Sequence, residues 1–115
     1  MATQVVNVRV AYIRPRYKDL REWMADPGNV YIGRGGVVFI DGVRFPPADS
    51  EWANPYHIGR HGTRDEVVEK YEARVRGKIE RGELDPEELR GRNLGCWCHP
   101  EKCHGDVLVK ILHEL

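Results

Sequence analysis

Asn93-Leu-Gly-Cys-Trp-Cys98, then His99-Pro-Glu-Lys-Cys-His-Gly105, then Asp106-Val-Leu-Val-Lys-Ile-Leu-His-Glu-Leu115 is the stretch whose reading decides the fold. Residues 93–98 are short and apolar with a turn on either side, the pattern of a buried strand. Val107, Leu108, Ile111, Leu112 and Leu115 recur at three- and four-residue spacing, the stripe of a helix opening at Gly105 or Asp106. A strand, a tight loop and a helix in that order form the repeating unit of an α/β protein.

The rest of the chain extends that alternation. Residues 5–12 predict a strand, and residues 14–24 a helix with Pro15 in its first turn and Asp26-Pro27-Gly28 as its stop. Residues 30–32 predict a short strand. Residues 37–40 and 43–45 predict a hairpin across Asp41-Gly42, because that dipeptide tolerates the positive φ of a type I′ turn. Thr63-Arg-Asp-Glu66 is a capping box opening a helix striped by Val67, Val68, Tyr71, Val75 and Ile79 and stopped at Gly82. Asp85-Pro86 caps a short further helix start. The expected fold is a small Rossmann-like α/β sandwich, with a mostly parallel sheet and one inserted β-hairpin, in a single domain over residues 1–115.

Composition bounds the function. With 115 residues, 41% hydrophobic and 31% charged, the chain is neither disordered nor a membrane protein. No apolar run approaches the roughly 20 residues of a bilayer span, and the N-terminus has no signal-peptide h-region, so a cytoplasmic protein is expected. Eighteen basic and eighteen acidic side chains cancel, which excludes a global pull toward nucleic acid but not a local patch. Arginine outnumbers lysine 13 to 5; its planar fork suits phosphate and carboxylate, and the same bias arises from genome composition or heat adaptation.

All three cysteines fall in Cys96-Trp-Cys98-His-Pro-Glu-Lys-Cys103-His104. An odd count in so short a span is not a disulfide framework. Cys96, Cys98 and Cys103 with His99 or His104 supply enough ligands for zinc, although adjacent Cys103 and His104 diverge at a helix start. Cys98, Cys103 and His104 also lie beyond the carboxyl end of a strand, where open α/β sheets bind ligands and helix amides favour a thiolate or an anion. In that reading they are candidate nucleophile and proton carrier. A Cys98–Cys103 redox pair is a third reading. Simple burial, which suits Cys96 best, is a fourth.

Two other segments can share this rim. Tyr31-Ile-Gly33-Arg34 ends a strand in a glycine that lets backbone approach a ligand, followed by a guanidinium; a turn explains the glycine equally. Trp52-Ala-Asn54-Pro55 holds Asn54 extended before proline, presenting its amide to a base or sugar, while Arg60 and Arg64 flank a capped helix start suited to phosphate. Asp106, in the first turn of the last helix, joins the candidate ligand set but suits an N-cap better than a base.

Tyr31-Ile-Gly-Arg34, Trp52-x-Asn54-Pro55, Arg64 followed by Tyr71, and Leu94-Gly-Cys-Trp-Cys98-x-Pro100-x-x-Cys103-His104-Gly105-Asp106-Val-Leu108 together resemble the DUF4326 family over roughly residues 5–115. The Cys-His strand-to-helix ending is also similar to that of DUF488, which continues Cys-His-Arg where this chain has Cys103-His104-Gly105. The resemblance implies an α/β domain of bacteria, archaea and large-genome viruses, and implies no reaction.

The expected function is an intracellular domain that binds a nucleotide or related phosphorylated small molecule, in which Cys98 and His104 supply any chemistry. The alternative is a nonenzymatic zinc-stabilised module binding nucleic acid or a protein partner. For that role the basic stretch from Arg9 to Arg21, with Tyr12, Tyr17 and Trp23, is a candidate surface, although Tyr17 and Trp23 also fit an apolar helical stripe.

Overall fold

The computed structural model describes residues 2–115. Three strands, β1 (Gln4–Asn7), β2 (Asn29–Tyr31) and β5 (Asn93–Cys96), form a parallel sheet in the order β1-β5-β2. Strands β3 (Val38–Ile40) and β4 (Val43–Phe45) form a separate antiparallel hairpin. The helices are α1 (Val10–Ile13), α2 (Leu20–Ala25), α3 (Arg64–Glu80) and α4 (His104–Glu114), with a 3₁₀ turn at Pro86–Leu89. The chain is thus a mixed α/β protein, and the hairpin stands outside the parallel sheet.

The last-strand residues are central because they are apolar on both faces. Leu94 pairs with Val5 on one side and Val30 on the other. These residues face α3 and α4, packing with Ile32, Val68, Tyr71, Val75, Leu108 and Ile111. Gly95 belongs to the opposite face, where Val8, Ile13, Leu20, Trp23 and Tyr31 form a second core. No side chain fits at Gly95: a Cβ there would lie 2.4 Å from Trp23 Cη2 and 2.6 Å from Val8 Cγ1. The alternation of β5 therefore divides the interior between two helical layers.

Local chemistry corrects several sequence expectations. The first strand stops at Asn7 rather than Tyr12, because Asn7 Oδ1 accepts the Arg9 amide at 2.9 Å and turns the chain into α1. The helix expected from residue 14 starts at Leu20 instead, where Asp19 Oδ1 caps the Glu22 amide at 3.0 Å, so Pro15 is not in a first helical turn. Strand β2 is displaced by one residue to Asn29–Tyr31. Strand β5 ends at Cys96, leaving Trp97 and Cys98 in the loop. The N-cap of α4 is Cys103, and Asp106 occupies the third helical position, from which Oδ2 reaches back to the Cys103 amide at 3.1 Å.

Other expectations hold. Asp41 and Gly42 adopt φ of 53° and 77°, as a type I′ turn requires. Thr63 and Glu66 form the reciprocal capping box of α3, and Gly82 follows that helix with φ of 75°. Asp85 caps the turn begun by Pro86 through the Glu87 amide. No helix among the described residues is long and apolar enough to cross a membrane.

Candidate functional site at the carboxyl edge of the sheet

A cavity of about 370 Å³ opens where β2 and β5 end. Gly33 and Arg34 come from the segment after β2, Cys96, Trp97 and Cys98 from β5 and its exit, and Asn54, Tyr56 and His57 from the long loop. Arg64, Val67 and Val68 come from the first turns of α3, and Lys102, Cys103 and His104 from the entry to α4. Of the residues expected at the site, Arg34, Asn54, Arg64, Cys98, Cys103 and His104 meet here. Arg60 and Asp106 do not line the cavity; both are exposed elsewhere.

Arg34 builds the wall it lines. Its Nε and Nη2 donate to the Asn54 carbonyl at 3.1 and 2.8 Å, and Nη2 also donates to the Tyr56 carbonyl at 3.0 Å. Asn54 is 8% exposed, and its amide spans the Val67 carbonyl at 3.2 Å and the Tyr56 N–H at 2.9 Å. Those two bonds fix the loop onto α3, leaving one N–H and one lone pair of the amide for any ligand. Gly33 is explained by its own strand: a Cβ would sit 2.4 Å from the Tyr31 hydroxyl, which folds beneath it. That hydroxyl donates to the Arg34 carbonyl at 2.7 Å and accepts Trp97 Nε1–H at 2.9 Å, tying the exits of β2 and β5 together.

Arg64 donates to the Lys102 carbonyl at 3.0 Å and pairs with Glu101 at 2.8 Å. It also lies beside the Cys98 sulfur, the main reason its pKa stands above the ordinary guanidinium value. Three cations, Arg34, Arg64 and Lys102, line the cavity and no carboxylate does. Lys102 pairs with Asp65 at 3.1 Å, and both Asp65 and Glu101 lie outside the lining. The Arg34 charge pushes the nearby His57 pKa down.

His104 is held by the Ile32 carbonyl at 2.7 Å from Nε2 and by the edge of Tyr71, with ring centroids 4.9 Å apart. A carbonyl only accepts, so Nε2 carries the hydrogen and Nδ1 is the atom left to take a proton. Burial lowers the His104 pKa and keeps the ring neutral. Tyr71 is itself anchored through a hydroxyl bond to the Trp52 carbonyl at 2.7 Å.

The three cysteines separate into a pair and a single thiol. Cys96 and Cys103 approach to 3.3 Å between sulfurs, so Cys103 meets Cys96 and not Cys98, the pairing that one reading of the sequence allows. Cys96 is buried, and it also lines the cavity rather than only filling core. The two thiols share one hydrogen bond, in which either can donate; that bond lowers the pKa of Cys96 to about 6 and, with burial, raises that of Cys103. Amides of His99 and Cys98 also point at Cys96. Cys98 is half-buried. Among the described residues no three Cys, His, Asp or Glu side chains gather as a metal-holding group.

No sequence pattern marks Lys102 as a site residue; its one signal is its place beside Cys103 in the loop entering α4. Val67 and Val68 read only as a helical stripe; their position in the first turns of α3 brings them to the cavity as well as to the core. In the basic stretch, Trp23 is core at 3% exposed, Tyr17 bonds Asp26 at 2.5 Å, and Tyr12 is exposed.

The fold and cavity thus define a mixed α/β protein with a cation-lined pocket at the carboxyl edge of a parallel sheet. Residues 16–114 match the family described as a domain of unknown function, DUF4326, and the chain belongs to that family. It is similar to an uncharacterised 12.4 kDa protein of the nrdA-td intergenic region in Enterobacteria phage T4, 35% identical over 68 residues, which are 56% of this chain and 61% of the relative. It is likewise similar to an uncharacterised protein of Acanthamoeba polyphaga mimivirus, 36% identical over 93 residues, 72% of this chain and 65% of the relative. The chain thus spans less than two-thirds of either curated relative's length. No solved structure matches it.

Proposed function

We propose that this is a Rossmann-like cytoplasmic domain that binds a nucleotide or related phosphorylated small molecule in the cavity between the exits of β2 and β5. The observation that carries the reading is the set of three cations with no carboxylate among the cavity-lining residues, in a chain whose overall charge is zero. Arg64 and Lys102 are the phosphate-facing groups, exchanging their exposed partners Glu101 and Asp65 for the ligand, because Arg34 already spends its fork on loop carbonyls. The volume of about 370 Å³ lies in the range of small-molecule sites. Cys98, beside Arg64, and His104, through Nδ1, are the groups that would process a bound molecule, as nucleophile and proton acceptor.

The test is thermal melting against nucleoside mono-, di- and triphosphates, sugar phosphates and inorganic phosphate. A ligand at 100 times its Kd stabilises by about 2.7 kcal/mol, a shift of several degrees in a domain this size. At least one phosphorylated compound is expected to give that shift, and Arg64→Ala with Lys102→Ala to remove most of it. No shift across the set would end the proposal. Stoichiometric, tightly held zinc alongside that result would turn the reading toward a metal-stabilised module binding nucleic acid or protein.

A further inference from the structure

We propose that Cys96 and Cys103 form a redox-active dithiol at the cavity floor, closing a reversible disulfide by exchange with small anionic disulfides. The geometry is specific. One cysteine ends the central strand and the other caps α4, yet their sulfurs lie 3.3 Å apart. They are 2% and 3% exposed, but both line the cavity, so the only approach among the described residues is from inside it. Access through the cavity suits a small disulfide better than a thiol on a folded protein. Arg64 and Lys102 on the wall favour one that carries carboxylates, such as oxidised glutathione.

The surroundings distinguish the two sulfurs. Cys96 shares a hydrogen bond with Cys103 and faces two amides, those of Cys98 and His99, which stabilise it as a thiolate, whereas Cys103 meets one, that of Gly105. The loop that presents those amides is anchored by Asn7, whose Nδ2 donates to the His99 carbonyl at 2.8 Å. Cys96 therefore attacks: its thiolate bonds one sulfur of the incoming disulfide and expels the other half as a thiolate. Cys103 gives its proton to that departing thiolate and attacks the Cys96 sulfur, expelling the second half as a thiolate, which takes from solvent the proton that Cys96 released on ionising. Two protein thiols and one small disulfide become one protein disulfide and two small thiols, with two electrons passed to the small disulfide. The new bond would clamp residues 97–102, including cavity-lining Cys98 and Lys102, between β5 and α4.

The experiment treats the intact, folded chain with oxidised glutathione, without nucleotide, and reads intact mass and tryptic peptides. Trypsin separates residues 93–102, which hold Cys96 and Cys98, from residues 103–110, which hold Cys103. A mass lower by two hydrogens and a link between these peptides are expected, both reversed by dithiothreitol. The link should persist in Cys98→Ser and vanish in Cys96→Ser. Should Cys96→Ser not fold, Cys98→Ser with Cys103→Ala is expected to trap glutathione on Cys96. A link that requires Cys98, a glutathione adduct that stays on Cys98→Ser with Cys96 and Cys103 both present, or no reaction where the urea-unfolded chain reacts would overturn the proposal. None of these readouts involves phosphate binding, so the two readings succeed or fail separately.

Discussion

Replacing Arg34 by alanine removes three hydrogen bonds from a charged donor to two backbone carbonyls, those of Asn54 and Tyr56. A bond to a charged group contributes about 1.5–3 kcal/mol when well shielded. Arg34 is half-buried and two of its bonds share one acceptor, so a total of about 2–4 kcal/mol is expected. For a domain of this size that is a fall in Tm of roughly 8–16 °C, at about 4 °C per kcal/mol. Arg34→Lys should recover only part of the loss, because one ammonium cannot reproduce the planar fork. Differential scanning calorimetry, with urea denaturation as a second measure, reads the change. If Arg34→Ala melts within about 1 °C of wild type, the guanidinium does not hold the loop and its free charge belongs with the phosphate-facing groups instead.

Gly95→Ala forces a methyl against Trp23 and Val8 in the central strand, and is expected to cost at least about 3 kcal/mol or to prevent folding, read by urea denaturation. His104 has a folded pKa below its unfolded value, so the unfolded state binds more protons between the two. Stability should therefore fall as pH drops below about 6.5, with a slope of up to roughly 1.4 kcal/mol per pH unit, and level off below the folded pKa. A His104→Gln variant should lose that dependence in pH-resolved urea denaturation. With a Cys96 pKa of about 6, the pH dependence of disulfide exchange by the chain should be centred near 6, two or more units below that of an ordinary thiol. Rates with oxidised glutathione measured from pH 5 to 9 check this, and a midpoint near 8.5 would show that Cys103 does not share its proton with Cys96.

How much was legible in the chain follows the range of the interactions concerned. The hairpin turn at Asp41-Gly42, the capping box at Thr63 and Glu66, and the stripe of α4 depend on neighbours within four residues, and they are found where the sequence places them. The ends of β1 and α2 were also set locally, by Asn7 and Asp19, but apolar runs outweighed these single polar side chains in the reading. That strands β2 and β5 would bring Arg34 and the cysteine cluster to one rim was legible from strand-loop-helix order, since a parallel sheet gathers the carboxyl ends of its strands on one edge.

What tertiary structure alone decided is the use to which each side chain is put. Arg34 and Asn54 look like ligand groups in the sequence, yet the Arg34 fork and one N–H of the Asn54 amide are taken by backbone brought from 13 to 22 residues away. The sequence allows a Cys98–Cys103 pair as one reading; Cys103 meets Cys96 instead, because β5 ends two residues earlier than its apolar run suggests and the chain folds back at Cys103 to cap α4. Sequence determines which groups are available and which elements carry them. Which group faces which, across a few ångströms, is decided only when the layers pack, because hydrogen bonds and thiol pairs depend on distances that no local pattern encodes.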